Sequence, residues 1–80
     1  MFYYVYILKS LVNLEKYYTG YTEDLKKRII KHNEGGVPYT SNYKPWEIKN
    51  YFAFREKVKA LKFEKYLKSH SGRAFSKKHF

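Results

Sequence analysis

Two short runs with strong β propensity near the start of the chain restrict the fold more than any other stretch. Residues 2–9 include an uninterrupted apolar and aromatic segment from Tyr3 to Leu8, which is typical of a strand buried on both faces. Residues 17–22 are also β-prone and contain Gly20, where another group can approach the backbone closely. The two runs flank a polar loop and predict an antiparallel hairpin. Side-chain alternation would place Tyr6 and Tyr18 on the same face.

The rest of the chain alternates between helical and strand patterns. The predicted elements are a helix capped by Thr22 that runs to about Asn33, a strand from Trp46 to Phe54, a helix from Arg55 to about His70, and a short basic helix or tail from Arg73 to Phe80. We expect Ser71-Gly72 to separate the last two. The predicted fold class is α+β, a three-stranded antiparallel sheet flanked by helices in the order ββαβα plus a short C-terminal helix. The strand order stays open.

Periodicity also assigns residues to faces. Alternation in the third strand predicts one shared apolar face, formed by Trp46, Ile48, Phe52 and Phe54. The following helix has a buried stripe formed by Ala60, Phe63 and Leu67. Arg28 and His32 are one turn apart on the flank of the first helix's buried stripe. These two polar side chains would therefore emerge where that helix meets the sheet.

The charge balance favours a polyanionic partner. The 80 residues contain 17 Lys and Arg against 7 Asp and Glu, a net charge of +10. Such a field attracts nucleic acid or an anionic membrane surface. The aromatic content of 21% favours nucleic acid, since no isolated membrane-binding helix is evident. We expect one domain, residues 1–80, whose function lies on a surface or in a shallow groove.

Other patterns exclude several classes of site. The chain has no cysteine, so disulfides, thiolate metal sites and a cysteine nucleophile are excluded. No segment has the apolar length of a membrane span, and the N-terminus lacks the pattern of a signal peptide. We therefore expect a cytoplasmic protein with no membrane partner.

The order of the motifs resembles that of the GIY-YIG nuclease superfamily. Tyr-Val-Tyr at 4–6, Tyr-Thr-Gly at 18–20 and then Arg28 and His32 are similar to the signature of its small single-domain branch. That branch is related to the nuclease half of the bacterial excision-repair incision subunit. The resemblance covers nearly the whole chain. The departures are Tyr4 in place of a glycine, Thr19 in place of an isoleucine, and Tyr21 where some relatives have lysine.

The resemblance implies a metal-dependent endonuclease that hydrolyses DNA by direct attack of water. It assigns catalytic roles to Tyr6, Tyr18 and His32, which would activate or orient the water, and to Arg28, which would stabilise charge on the phosphate. Which of the first three is the general base stays open. Gly20 would be structural at the site.

The resemblance also implies a metal, and the positive charge of the chain predicts contacts with nucleic acid. Glu64 would hold one divalent metal, Mg²⁺ or Mn²⁺. Contacts with the nucleic-acid backbone are predicted for Lys26, Lys27, Lys31, Lys68, Arg73 and Lys77. DNA is the expected partner, with RNA not excluded. Recognition would depend on structure or damage rather than on sequence, and a protein partner could direct targeting.

Each assignment has a structural alternative. Any one tyrosine among ten could simply be a core residue, and Glu64 could merely pair with Lys68 one helical turn later. At the level of the whole chain, the alternatives are a nucleic-acid-binding module of the same fold without catalysis, and an interaction domain that docks on an acidic protein surface.

Overall fold

The chain folds into a three-stranded antiparallel sheet with helices on both faces, which confirms the predicted α+β class. In the computed structural model, which describes residues 1–80, the elements are β1 (Tyr3–Ser10), β2 (Tyr17–Thr22), α1 (Leu25–Asn33), α2 (Pro38–Ser41), β3 (Trp46–Phe54), α3 (Lys57–Lys68) and α4 (His70–His79). The strand order is β2-β1-β3. The central position of β1 explains its apolar sequence, since Val5 to Leu8 are all buried.

The two faces of the sheet carry separate cores. One core has the buried residues Tyr6, Leu8 and Trp46, with Leu25 and Ile29 of α1 packed against them. The other has the buried residues Val5, Ile7, Ala60 and Leu67, with Phe63 and Phe80 packed against them. Because side chains alternate along β1, this one strand supplies both cores.

A bulge in the pairing of β1 with β3 corrects the predicted apolar face of the third strand. The register shifts at the Ile7–Leu8 step of β1. Trp46 and Ile48 therefore pack on the α1 side of the sheet, whereas Phe52 and Phe54 pack on the α3 side. The prediction that these four residues share one face was wrong, because an extra residue in a strand reverses the alternation beyond it.

Helix starts also differ from the prediction. The N-cap of α1 is Asp24, whose carboxylate accepts a hydrogen bond from the Lys27 backbone N–H at 3.0 Å, and not Thr22. The break after α3 lies at Ser69, whose hydroxyl accepts from the Gly72 N–H at 3.1 Å. Gly72 is thus inside α4 and does not break a helix. A Cβ there would collide with the backbone carbonyl of Tyr66, so glycine permits the close approach of α4 to the end of α3.

The segment predicted as a polar loop contains the short helix α2. Pro38 occupies its first turn, where proline is well tolerated. The side chain of Asn33 links the end of α1 to the start of β3, since it donates to the Trp46 carbonyl (3.0 Å) and accepts from the Trp46 N–H (2.6 Å). This clamp places α2 over the end of α1. None of the helices has the length and apolar character that crossing a membrane requires.

Candidate active site

The candidate site is built around Tyr6 at the centre of the sheet. Tyr6 is 1% exposed and lies directly opposite Gly20 in the pairing of β1 with β2. A Cβ at Gly20 would collide with the Tyr6 hydroxyl and would lie 2.6 Å from ring atom Cζ. Glycine at this position therefore lets the phenol extend beneath β2 toward α1.

Two side chains of α1 converge on the Tyr6 hydroxyl. The Nε–H of Arg28 donates to the Tyr6 oxygen at 3.2 Å, and Nε2 of His32 lies 2.9 Å from the same oxygen. Burial raises the pKa of Tyr6, and the hydrogen bond and positive charge of Arg28 oppose that shift. Tyr6 is therefore a neutral phenol in the free protein, with a cation and an imidazole already placed beside it.

Thr40 of α2 determines which nitrogen of His32 carries the proton. The Thr40 hydroxyl donates to the Val37 carbonyl at 3.2 Å and lies 2.8 Å from Nδ1 of His32. A hydroxyl has one proton to donate, so when Thr40 donates to the Val37 carbonyl its oxygen accepts from Nδ1–H. Nε2 is then unprotonated and accepts from the Tyr6 hydroxyl. The hydrogen bonds consequently run in one direction, from Tyr6 through His32 to Thr40 and Val37.

The surroundings of His32 keep its ring neutral. The side chain is fully buried, and burial lowers the pKa of His32 to about 4, with the nearby charges of Arg28 and Lys31 acting in the same direction. The prediction placed His32 on the flank of α1. The structure places it in the interior instead, because α2 covers that end of the helix. His32 therefore has no contact with solvent, and its Nε2 is hydrogen-bonded to the Tyr6 hydroxyl.

Arg28 is the partly exposed cation of the cluster. Its hydrogen bond to Tyr6 raises its pKa further above the ordinary value. No carboxylate pairs with it, since the three ion pairs of the structure involve other residues. The terminal nitrogens of the guanidinium are thus available to an anion such as a phosphate.

Tyr18 lies beside this cluster on the same face of the sheet. Its ring centroid is 4.9 Å from that of His32, 6.3 Å from that of Tyr6 and 5.9 Å from that of Tyr39. Tyr18 is half-buried, so it forms the boundary between the interior of the site and solvent. Its phenol also contributes to the raised pKa of Arg28.

Glu64 of α3 is the one carboxylate that contributes to the raised pKa of Tyr6. It also contributes to the raised pKa of Tyr21, although the side chains of Tyr6 and Tyr21 point to opposite faces of the sheet. Its side chain is 19% exposed, and its Oε2 pairs with Lys68 at 3.0 Å. The predicted pairing with Lys68 is thus present, and it leaves Oε1 available to another partner.

The donor set fits a hard divalent cation only if most ligands come from elsewhere. No group of three or more Asp, Glu or His side chains is placed to hold a metal ion. A single carboxylate such as Glu64 suits Mg²⁺, which usually keeps several waters and shares substrate phosphate oxygens. The residues present are therefore compatible with one weakly held ion that binds together with a substrate.

The predicted basic residues fall into two groups. Lys26, Lys27 and Lys31 are exposed on α1, on one side of the sheet. Lys68, Arg73 and Lys77 belong to α3 and α4 on the other side. Sequence reasoning gave no role to Thr40, because only the fold of α2 brings it to His32. The one local signal was Pro38, which is typical of a helix start.

The sequence was compared with known families and proteins. The sequence model of the GIY-YIG catalytic domain matches residues 2–78. A UPF0213 protein of Staphylococcus saprophyticus is 42% identical over 69 residues, which are 85% of this chain and 82% of that protein. A UPF0213 protein of Clostridium perfringens is 42% identical over 66 residues, 81% of this chain and 69% of that protein.

A solved structure is also similar to this chain. The solution NMR structure of a UPF0213 protein from Bacillus halodurans is similar with a TM-score of 0.58 and 37% sequence identity. The match covers 96% of this chain and 81% of that one. The fold predicted from the motifs thus has a counterpart among measured structures.

Proposed function

Because the chain belongs to the GIY-YIG catalytic domain family, we propose that it is a metal-dependent endonuclease that hydrolyses phosphodiester bonds in DNA. The family supports a nuclease-type role on a nucleic-acid substrate. The net charge of +10 supports attraction to such a polyanion. Contacts from exposed lysines to the backbone carry no sequence information, so cleavage would follow DNA structure or damage, with a protein partner for targeting.

The observation that carries the proposal is the directed hydrogen-bond chain from Arg28 through Tyr6 and His32 to Thr40. In the proposed reaction, a water attacks phosphorus and gives a proton to the Tyr6 oxygen, while the bond from phosphorus to the leaving oxygen breaks. The Tyr6 proton moves at the same time to Nε2 of His32. The raised pKa of Tyr6 and the lowered pKa of His32 oppose this transfer in the free protein, so it belongs to the reacting complex.

The other residues of the site act on charge and position. The terminal nitrogens of Arg28 bind the non-bridging phosphate oxygens and stabilise the negative charge that develops there. Its Nε–H stabilises charge on the Tyr6 oxygen. Tyr18 excludes water from His32 and orients the nucleophile. A divalent ion held by Glu64, Mg²⁺ or Mn²⁺, would neutralise charge on the leaving oxygen when bound.

The test is cleavage of end-labelled branched, nicked and single-stranded DNA with Mg²⁺ or Mn²⁺. Arg28→Ala and Glu64→Gln are each expected to lower the rate about 100-fold or more, in line with the loss of one strong transition-state interaction. Glu56→Gln is the matched control, because Glu56 is an exposed carboxylate that pairs only with Lys59. Wild-type rates in the Arg28 or Glu64 variant would refute the assignment.

A second candidate is a nucleic-acid-binding module of the same fold without turnover. The ion pair of Lys68 with Glu64 favours it, because Lys68 neutralises the carboxylate that is proposed to hold the metal. This alternative predicts binding that EDTA leaves unchanged and no strand scission on any of the DNA substrates. RNA oligonucleotides would be tested in the same binding assay.

A further inference from the structure

A basic groove is lined in part by residues of the edge strand β2 and shares Tyr18 with the candidate site. β2 is an edge strand, and a groove of about 940 Å³ lies between it and the helices α3 and α4. We propose that this edge groove binds the sugar-phosphate backbone of the nucleic acid on one side of the cleaved bond, which rests on the proposed function. The basic side chains that line the edge groove are Lys16, Lys49, Lys68, Arg73 and Lys77.

The charge of the edge groove is unbalanced. Glu15 is the one acidic residue among its lining side chains. Of the five basic residues, only Lys68 forms an ion pair. Unpaired cations on facing walls repel one another, and a chain of phosphates between them removes that repulsion while it releases counterions. The groove therefore fits an extended polyanion better than a neutral ligand.

The cations come from both walls. Lys49 extends from the bulged part of β3 on the sheet side, and Lys77 belongs to α4 on the helix side. The Nζ of Lys49 lies 5.0 Å from the ring centroid of Tyr17, which is 47% exposed. This contact holds the Lys49 ammonium at the groove instead of leaving it free in solvent.

The edge groove borders the candidate cluster at Tyr18. Tyr18 and Tyr39 both line it, and the Tyr18 ring contacts that of His32. A nucleic-acid strand with one phosphate at Arg28 can therefore continue past Tyr18 into the groove. The lysines of α1 lie on the same side of the sheet as Arg28 and outside the edge groove, so they would contact the substrate on the other side of the cleaved bond.

The experiment measures binding under conditions that exclude metal-dependent cleavage. Fluorescence anisotropy of a fluorescein-labelled oligonucleotide, single-stranded and as a duplex, is recorded in EDTA at several KCl concentrations. The groove variant is Lys49→Gln/Lys77→Gln. The matched control is Lys59→Gln/Lys62→Gln, which removes the same charge from exposed positions of α3 outside the groove. Circular dichroism verifies that both variants are folded.

We expect the groove variant to weaken binding of whichever form the wild type prefers, and to lower the slope of log affinity against log salt by about 1.5 to 2. The control is expected to leave the slope unchanged. Equal losses in both variants, no loss in either, or no binding by the wild type would overturn the proposal that the groove binds nucleic acid. If the wild type binds through the groove but cleaves none of the DNA substrates, the proposed nuclease activity is refuted and the binding site is supported.

Discussion

Acid should destabilise the folded protein through His32. This ring is buried, and its pKa is lowered from 6.5 to about 4 by burial first and then by Arg28 and Lys31. Between these pH values the unfolded chain binds a proton that the folded chain does not. The folded state is therefore favoured above pH 6.5 and loses that advantage as the pH falls toward 4.

The magnitude follows from the difference between the two pKa values. A difference of one pKa unit corresponds to about 1.36 kcal/mol, so the difference between 6.5 and about 4 amounts to about 3 kcal/mol. Measurement between pH 6.5 and about 5 stays above the ordinary range of Asp and Glu, and about 2 kcal/mol should be lost there. The pKa of Arg28 is raised above its ordinary value, so its charge is constant over this range.

Urea denaturation followed by the fluorescence of Trp46, which is 3% exposed, would measure this loss. His32→Gln should be less stable at pH 7, because it breaks buried hydrogen bonds, but its stability should not change over the same pH range. His70→Gln removes an exposed ring and should follow the wild type. Parallel wild-type and His32→Gln curves, or an NMR titration of the His32 ring near pH 6.5, would refute the reasoning.

Three further predictions concern residues that shape the site and the core. Thr40→Val removes the acceptor of the His32 Nδ1–H, so cleavage should fall and long-range ¹⁵N NMR should show a mixed tautomer, whereas Thr40→Ser should retain both properties. Gly20→Ala should displace Tyr6 and lower cleavage strongly, with a visible change in the aromatic NMR signals; unchanged signals would contradict the collision at Tyr6. Gly72→Ala should destabilise the chain by about 2 kcal/mol or more in urea denaturation, because the collision involves the backbone of Tyr66 and cannot be relieved by a rotamer change. As a control, Ser71→Ala at a neighbouring exposed position should cost under about 1 kcal/mol.

The fold could be predicted because its signals are local. The apolar run of β1, the alternation in β3 and the helical periodicity around Ala60 each report the burial of a residue next to its own neighbours in sequence. The bulge at the Ile7–Leu8 step could not be predicted, since it depends on how two strands far apart in sequence align. Its consequence is that Trp46 and Phe52 lie on different faces, although both carry the same alternating signal.

The site divides in the same way. The spacing of Arg28 and His32 predicted that they share a helix flank, and the strand period predicted that Tyr6 and Tyr18 share a sheet face. The burial of His32 was not predictable, because it results from α2, whose four residues have too little periodicity to be recognised. The tautomer depends on Thr40 and Val37 in turn. The position of the His32 ring proton thus depends on α2, a segment that the sequence predicts only as a loop.

Some residues of the candidate site also belong to the buried core, so changing them affects both stability and function. Tyr6 and His32 are both buried, so a substitution that removes one hydrogen bond also leaves a buried polar atom unpaired, at a cost of about 1 to 3 kcal/mol. Arg28 and Glu64 are only partly buried and can be changed with less loss of stability. Because a chain of 80 residues has little stability in reserve, lost activity in a Tyr6 or His32 variant could reflect unfolding. The partly exposed Arg28 and Glu64 are therefore the positions at which function can be tested independently of the fold.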